Sequence, residues 1–275
     1  LKVLLLDAYN LIHRARSGFS QGEFPVMYNF FRGLRPIIEK FSPDKVYFVL
    51  EGDPKFRKNL SEGMYKQGRK NPGNDFHRQK AAIINTVSEC FPFIVAKHPD
   101  LECDDTVATL VSLHASAGDK CTIVSSDSDF IQLLNYFDVD LYHPIKKDFI
   151  KAPDYDYVTW KALRGDPTDN IHGIRGIGDK TAQKLVKSPG DLREVLSDPQ
   201  KREIFEKNVN LIRLVDFSND LSMLEYTEGR QDFERLRGVF KDLGFESMLK
   251  EKTWQNFCQT FEGVNDAVFT RPGTA

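Results

Sequence analysis

The sequence predicts an α/β protein: an open, mostly parallel sheet flanked by helices, followed by a helical region. Three observations carry this. Apolar runs that stop at an acid, KVLLLD ending at Asp7 and VYFVLE ending at Glu51, read as strands buried on both faces. Segments of helical spacing alternate with such runs, the order of a parallel sheet with crossover helices. After about Pro153 the strand signal fades and helical patterns dominate.

The elements follow in order. Over residues 25–41, Phe30, Phe31, Leu34, Ile37, Ile38 and Phe41 share one helical face. Further helices are expected over 76–91 and 104–117, and further strands over 93–96, 121–125 and 139–142. Beyond residue 153 the pattern predicts helices over 155–163, 181–186, 200–214 and 233–243. The organisation is then a core over residues 1–152, a helical region over 153–262, and a tail over 263–275 without apolar periodicity. Within the core, residues from about 52 to 75 carry no strand signal and are interrupted by Gly52, Gly63, Gly68, Pro72 and Gly73. Connections of that length are usually functional or disordered.

The net charge of −2 over 275 residues gives no overall basic signature, so any nucleic-acid contact must be local. The distribution supplies one candidate. From Lys55 to Lys80 there are eight Lys/Arg against two acids, Glu62 and Asp75, with Phe56 and Tyr65 interleaved. That composition suits an element that tracks a phosphate backbone and stacks on bases, although a solvated loop accounts for it equally well. Cys90, Cys103, Cys121 and Cys258 show no CxxC spacing, which argues against a zinc site or a redox pair. No apolar run reaches membrane-spanning length and no signal peptide is read, so the expected setting is cytoplasmic. The chain ends soon after the helical part, which leads to the expectation of a stand-alone protein, with a piece of a larger protein as the open alternative.

The chemistry lies in the acids. Asp7, Glu51 and Asp127 follow buried strands at their carboxyl ends, the edge where open α/β sheets bind ligands. Glu102-Cys103-Asp104-Asp105 opens a helix, and Asp127 and Asp129 share a side if the chain is extended there. Capping by the helix dipole explains one or two acids at a helix start, not three in four residues. Two carboxylates about 4 Å apart repel by roughly 4 kcal/mol at an effective dielectric of 20, so a gathering of six or more requires protons or cations. All-oxygen ligands without paired His or Cys point to Mg²⁺ or Mn²⁺, and many carboxylates suggest two ions, the arrangement of metal-assisted phosphodiester hydrolysis.

The segment RGDPTDNIHGIRGIGDKTAQKL, from Arg164 to Leu185, joins that chemistry to an anion cradle. Asp166 and Asp169 lie in a turn, and the glycines from Gly173 to Gly178 open into a helix-forming run from Lys180. Closely spaced glycines and a helix N-terminus both favour oxygen anions.

On these residues the chain resembles the 5′-nuclease family: phage and bacterial 5′→3′ exonucleases, flap endonucleases and the nuclease domain of DNA polymerase I. LLLDAYNLIHR resembles the first strand with its acid and following arginine, Asp7 and Arg14. FRKNLSEGMYKQGRK is similar to the helical arch, with Tyr65, Lys66 and Arg69 in its Tyr-Lys-x-x-Arg. FHRQ resembles the start of the next helix. LECDDTVATL is similar to Glu-Ala-Asp-Asp, with Cys103 in place of Ala, and SSDSDFIQLL resembles Asp-x-Asp. RGDPTDNIHGIRGIGDKTA resembles the last acid pair and a helix–hairpin–helix over about 171–186. The similarity runs from Leu4 to about Val186.

The resemblance implies a PIN-like core and a structure-specific 5′ nuclease in replication or repair. The implied ligands are Asp7, Glu51, Glu102, Asp104 and Asp105 for one metal, and Asp127, Asp129, Asp166 and Asp169 for another. The family carries Asp after the second strand, so Glu51 and Asp53 both stand as candidates there. Lys66 and Arg69 would reach the scissile phosphate and Tyr65 would stack on an unpaired base. Arg14, Arg57, Arg78, Gly176, Gly178 and Lys180 would contact DNA, and K⁺ would sit near Gly173–Gly178. The implied partners are branched or 5′-ended duplex DNA and RNA–DNA hybrid, bound by a monomer, with no membrane. Rival readings want features this chain lacks or does not need: a PIN-type ribonuclease lacks the hairpin, a non-catalytic junction binder would not keep the acids, and a phosphatase would want Asp where Tyr9 stands.

Overall fold

A computed structural model describes residues 1–18, 22–68, 71–265 and 268–269. Strand β1 (Lys2–Asp7) leads directly into helix α1 (Ala8–Ala15), then α2 (Pro25–Phe41) and β2 (Lys45–Val49). A short α3 (Lys55–Leu60) precedes α4 (Asn74–Cys90), β3 (Ile94–Lys97), α5 (Cys103–Ser116) and β4 (Lys120–Val124). A 3₁₀ segment (Ser128–Asn135), β5 (Val139–His143) and β6 (Asp148–Ile150) complete the first part.

Among the described residues the sheet has seven strands, five of them parallel, in the order β6-β5-β4-β1-β2-β3, with one more strand beside β3. Both neighbours of β1 run parallel to it: Leu5 lies opposite Tyr47 on β2 and Ile123 on β4. From β1 the chain builds β2 and β3 on one side, then crosses to build β4 and β5 on the other. That reversal opens a crevice at the carboxyl ends of β1 and β4. The pleat divides β1 between two cores. Leu4 and Leu6 pack with α1, α2 and α4, while Val3 and Leu5 pack with α5 and the 3₁₀ segment.

The second part holds α6 (Tyr157–Arg164), a two-strand ribbon β7 (Gly165–Asp166) and β8 (Ile171–His172), α7 (Asp179–Lys187), α8 (Pro189–Val195) and α9 (Pro199–Ile212). Gly165 and Gly173 cross so closely that a Cβ on Gly173 would lie 2.2 Å from the Arg164 carbonyl oxygen, so the ribbon requires glycine.

The expected helical region over 153–262 divides in two. Strand β9 (Glu225–Glu228) returns to the sheet as the antiparallel neighbour of β3. Helices α10 (Phe233–Asp242), α11 (Glu246–Leu249) and α12 (Glu251–Phe261) then pack on the core beside α2 and α4. Phe31 meets Phe240 at 5.2 Å between ring centroids and Phe91 meets Phe261 at 5.2 Å. β9 escapes sequence reading because all four of its residues are exposed. Most of the expected tail lies outside the described residues.

The stretch around Met64–Lys66 in the expected 52–75 segment does not stand clear of the body. Tyr65 is buried with Val158, Ala162, Ile171, Leu211 and Ile212. Asn170 Nδ2 donates to the Met64 carbonyl at 2.9 Å, and the Lys66 backbone N–H donates to the Asp169 carbonyl at 3.1 Å. The basic segment is thereby pinned to the turn that carries the last acid pair.

Candidate metal centre

Most of the acids expected from sequence gather beyond the carboxyl ends of β1 and β4. Asp7 caps α1 by accepting from the Asn10 N–H at 3.0 Å, and it also accepts from the Ser125 hydroxyl at 2.7 Å. Asp127 caps the 3₁₀ segment by accepting from the Asp129 N–H at 2.9 Å. Both caps turn a carboxylate back over a strand end, which is how a sheet edge becomes a ligand cluster.

Among the described residues, two groups have the geometry to hold a cation. Asp104, Asp127 and Asp129 each offer a carboxylate oxygen within 4.8 Å of the others, and so do Asp129, Asp166 and Asp169. Asp129 belongs to both. Asp104, expected with Asp7 and Glu102, lies with the Asp127 pair and also feels the charge of Asp7. Glu51 accepts from the Cys103 N–H at 3.1 Å and faces the site, whereas Asp53 pairs with Lys58 on the surface. Of the two candidates after β2, Glu51 is the one whose charge acts on Glu102, Lys66 and Asp7.

Three expected roles change. Asp105 is fully buried and accepts both oxygens' worth of a bidentate pair from Arg57, at 2.5 and 2.7 Å. It also accepts from the N–H groups of Glu102 and Val215, at 3.1 and 2.8 Å. Its lone pairs are committed, so it is a structural anchor rather than a metal ligand. Arg57, 1% exposed, also donates to the carbonyls of Leu211 and Arg213, which places it inside the protein and not on DNA. Tyr65 is buried and its hydroxyl donates to Glu102 at 2.9 Å, with Asp169 at 3.2 Å, so its ring is not free to stack on a base. Arg69 lies outside the described residues.

Sequence reading missed Lys161. Its ammonium bridges Asp129 and Asp166, the second at 2.6 Å, from a buried position on α6. The available signal was a lysine on the same helical stripe as Val158 and Ala162, since an unpaired charge is not tolerated in a core. Lys66 likewise pairs with Glu102 and lies 3.9 Å from Asp169. Among the described residues, two ammonium groups therefore sit among the acids.

The crowding shows in the protonation of the carboxyls. Burial, with Asp127 nearby, pushes Asp7 up to about 6. Burial and Glu102 push Glu51 up to about 7. Burial, Asp127 and Asp7 raise Asp104 well above the usual carboxylate range. Burial raises Asp129 to about 6 even though Lys161 opposes it. For Asp166 burial also pulls upward, but Lys161 and Thr168 hold it below its ordinary value.

A stability prediction follows from the four raised groups. A carboxyl whose folded pKa exceeds its unfolded value stabilises fully below the unfolded pKa, and that contribution is lost as pH rises through the folded pKa. The metal-free protein should therefore lose stability between pH 5 and 8, with Tm falling by about 5 °C or more. His114 and His143, whose pKa values burial lowers, work in the opposite direction but are two groups against four. Differential scanning fluorimetry in a chelator checks this, and excess Mg²⁺ should flatten the profile. A Tm that rises with pH over that window contradicts the account.

The hairpin side is open. Gly176 has φ +85, a conformation that favours glycine, and a Cβ there or on Gly178 would meet nothing within 4 Å. Gly178 caps the N-terminus of α7, and Lys180 in its first turn is exposed. Arg14 is half-buried on α1, and Arg78 is exposed on α4, paired with Asp75 at 3.0 Å.

Comparison with known proteins gives a consistent result. A family model described as the 5′-3′ exonuclease N-terminal resolvase-like domain matches residues 2–161. A second, described as the 5′-3′ exonuclease C-terminal SAM fold, matches residues 152–226. The thermostable DNA polymerase I of Thermus thermophilus is 32% identical over 279 residues, which cover 91% of this chain and 33% of that protein. The 5′-3′ exonuclease of Aquifex aeolicus is 26% identical, covering 90% of this chain and 93% of that one. The chain thus spans about a third of the length of the polymerase relatives. Among solved structures, a bacteriophage T5 flap endonuclease in a pseudo-enzyme-product complex with DNA and metal ions gives a TM-score of 0.67 at 16% identity, covering 95% of this chain and all of that one. The catalytic core of Rad2 in complex with DNA substrate gives 0.60 at 17% identity, covering 94% and 92%. At those identities the structural likeness speaks to the fold.

Proposed function

Because the chain belongs to the 5′-3′ exonuclease family, we propose that it is a divalent-metal-dependent, structure-specific 5′ nuclease. Its substrates are phosphodiester bonds near 5′ ends or single-strand/duplex junctions of DNA, including RNA paired with DNA. The observation that carries this is the pair of carboxylate groups sharing Asp129, set beside a glycine hairpin that faces outward.

The donor set is all oxygen and suits Mg²⁺, with Mn²⁺ as a substitute. Asp104, Asp127, Asp129, Asp166 and Asp169 would hold the ions, with Asp7, Glu51 and Glu102 shaping the charge around them. Bound there, the metal supplies water activation and neutralises charge on the phosphate. The chain's own residues do the rest. Lys161 fixes the orientation of Asp129 and Asp166 from α6. Tyr65 orients Glu102 and Asp169 through its hydroxyl. Lys66, already among the acids, offers a compact positive charge to a phosphate, and Arg69 is placed by its motif to add a second.

The hairpin holds duplex backbone through N–H groups and Lys180, which fixes register without reading sequence. K⁺ at the backbone of Gly173–Gly178 belongs to the same reading and rests on the family resemblance. So do a monomeric state and a cytoplasmic setting; among the described residues no helix is long and apolar enough to cross a membrane.

A 5′-labelled flap duplex, incubated with and without Mg²⁺, tests the reaction. Cleavage that ignores the metal, or a preference for single-stranded RNA, would sink the reading. Lys180→Ala should weaken binding alike across sequences and lower the log–log salt slope by about 0.9. A changed sequence preference in that variant would place Lys180 on a base edge instead.

A further inference from the structure

Helix α4 is held in one rotation by Gln79, which is buried. Its side-chain oxygen accepts from the N–H groups of Val26 and Met27, at 3.0 and 3.3 Å, where α2 begins. Its amide NH₂ donates to Asp75 at 2.7 Å. The next residue, Lys80, reaches α1 just past the end of β1. Its ammonium lies 4.3 Å from the centroid of the Tyr9 ring, and Tyr9 is two residues beyond Asp7.

Lys80 differs from the other lysines at the site. Lys66 and Lys161 are each paired with carboxylates. Lys80 is partly withdrawn from water, yet among the described residues no carboxylate lies within the 4.0 Å of an ion pair. Burial holds its pKa below the ordinary lysine value while Glu51 draws it back up, and Glu51 also acts on Tyr9. The three groups share the rim of the acid site. The aromatic face offers the ammonium only a weak attraction, and among the described residues none of its three N–H donors has a hydrogen-bond acceptor.

Resting on the nuclease reading above, we propose that Lys80 is a substrate contact: it donates to a backbone phosphate neighbouring the one at the acids, with the Tyr9 ring as its resting platform. The charge arrives from α4, a rigid helix anchored on α2, whereas Lys66 arrives from the arch segment. A diester phosphate supplies the anionic oxygens that the protein withholds from Lys80. Its loss should therefore weaken substrate capture more than the chemical step.

The test uses the full chain, Mg²⁺ and a 5′-labelled flap duplex, with kcat and KM measured from 50 to 200 mM KCl. Lys80→Met should raise KM about 10-fold with kcat changed less than about 3-fold. It should also lower the slope of log kcat/KM against log salt by about 0.9, the value for one phosphate contact. Lys80→Arg should keep the wild-type slope. Tyr9→Leu, which removes the platform, should raise KM without changing the slope. Lys120→Met, at the opposite end of the strands and paired with Asp138 and Asp140, should behave as wild type. If the wild type cleaves and Lys80→Met keeps its slope, the inference fails, and a lowered Tm alone would make Lys80 a packing residue. A wild-type protein that cleaves no flap duplex removes the nuclease reading and this inference with it.

Discussion

Asp129→Asn is expected to lower metal-dependent cleavage by roughly three orders of magnitude, about 4 kcal/mol of barrier, while flap-duplex binding changes little. The reason is its position. Among the described residues Asp129 is shared by both groups able to hold a cation, so its loss would damage both candidate sites at once. Asparagine keeps the shape and one carbonyl oxygen but removes the charge that a hard divalent ion requires. The fold should survive, because Lys161 retains Asp166 at 2.6 Å and the 3₁₀ segment retains its cap on Asp127. Single-turnover cleavage and fluorescence anisotropy on the same substrate separate the two effects. Substantial residual cleavage at ordinary Mg²⁺ would show that the shared carboxylate is not a ligand.

Arg57→Met should destabilise the protein by about 3–5 kcal/mol, because it strands Asp105 in the interior with only backbone N–H partners. A Tm loss of roughly 10 °C corresponds to that range. The carbonyls of Leu211 and Arg213 lose their donor as well, so α9 should loosen from α5. Pairing Arg57→Met with Asp105→Leu should recover part of the loss, since both buried charges then leave together. Thermal unfolding of the two variants measures this. An unchanged Tm with weakened DNA binding would return Arg57 to the role its motif first implies.

Much of the site was legible because its logic is local. Asp7, Glu51 and Asp127 announce themselves by ending or following apolar runs, and Gly173–Gly178 by spacing. Element bounds follow the same rule: the helix expected over 25–41 is observed over those residues, since its apolar face repeats strongly. What escaped was non-local. Arg57 and Asp105 are 48 residues apart, and Lys161 and Asp129 are 32 apart. Before folding, nothing distinguishes Arg57 from Arg78 or Asp105 from Asp104. β9 escaped for a related reason: an exposed edge strand is held by backbone pairing to β3, and backbone pairing leaves no apolar signature.

The sequence by itself determined the chemistry available: an oxygen-only ligand inventory placed at strand ends, joined by a short turn to a glycine hairpin. Residue type and local periodicity fix those properties, and both are readable without a partner element. Only the tertiary structure decided how the inventory is spent. It assigned Asp105 to Arg57 and Asp129 to both cation groups, folded Tyr65 inward, and set Lys161 among the acids and Lys80 on Tyr9. Those outcomes depend on which charges burial brings together. A buried charge must find its counter-charge or lose its ionisation, and the partner is chosen by packing across the fold rather than by neighbours along the chain.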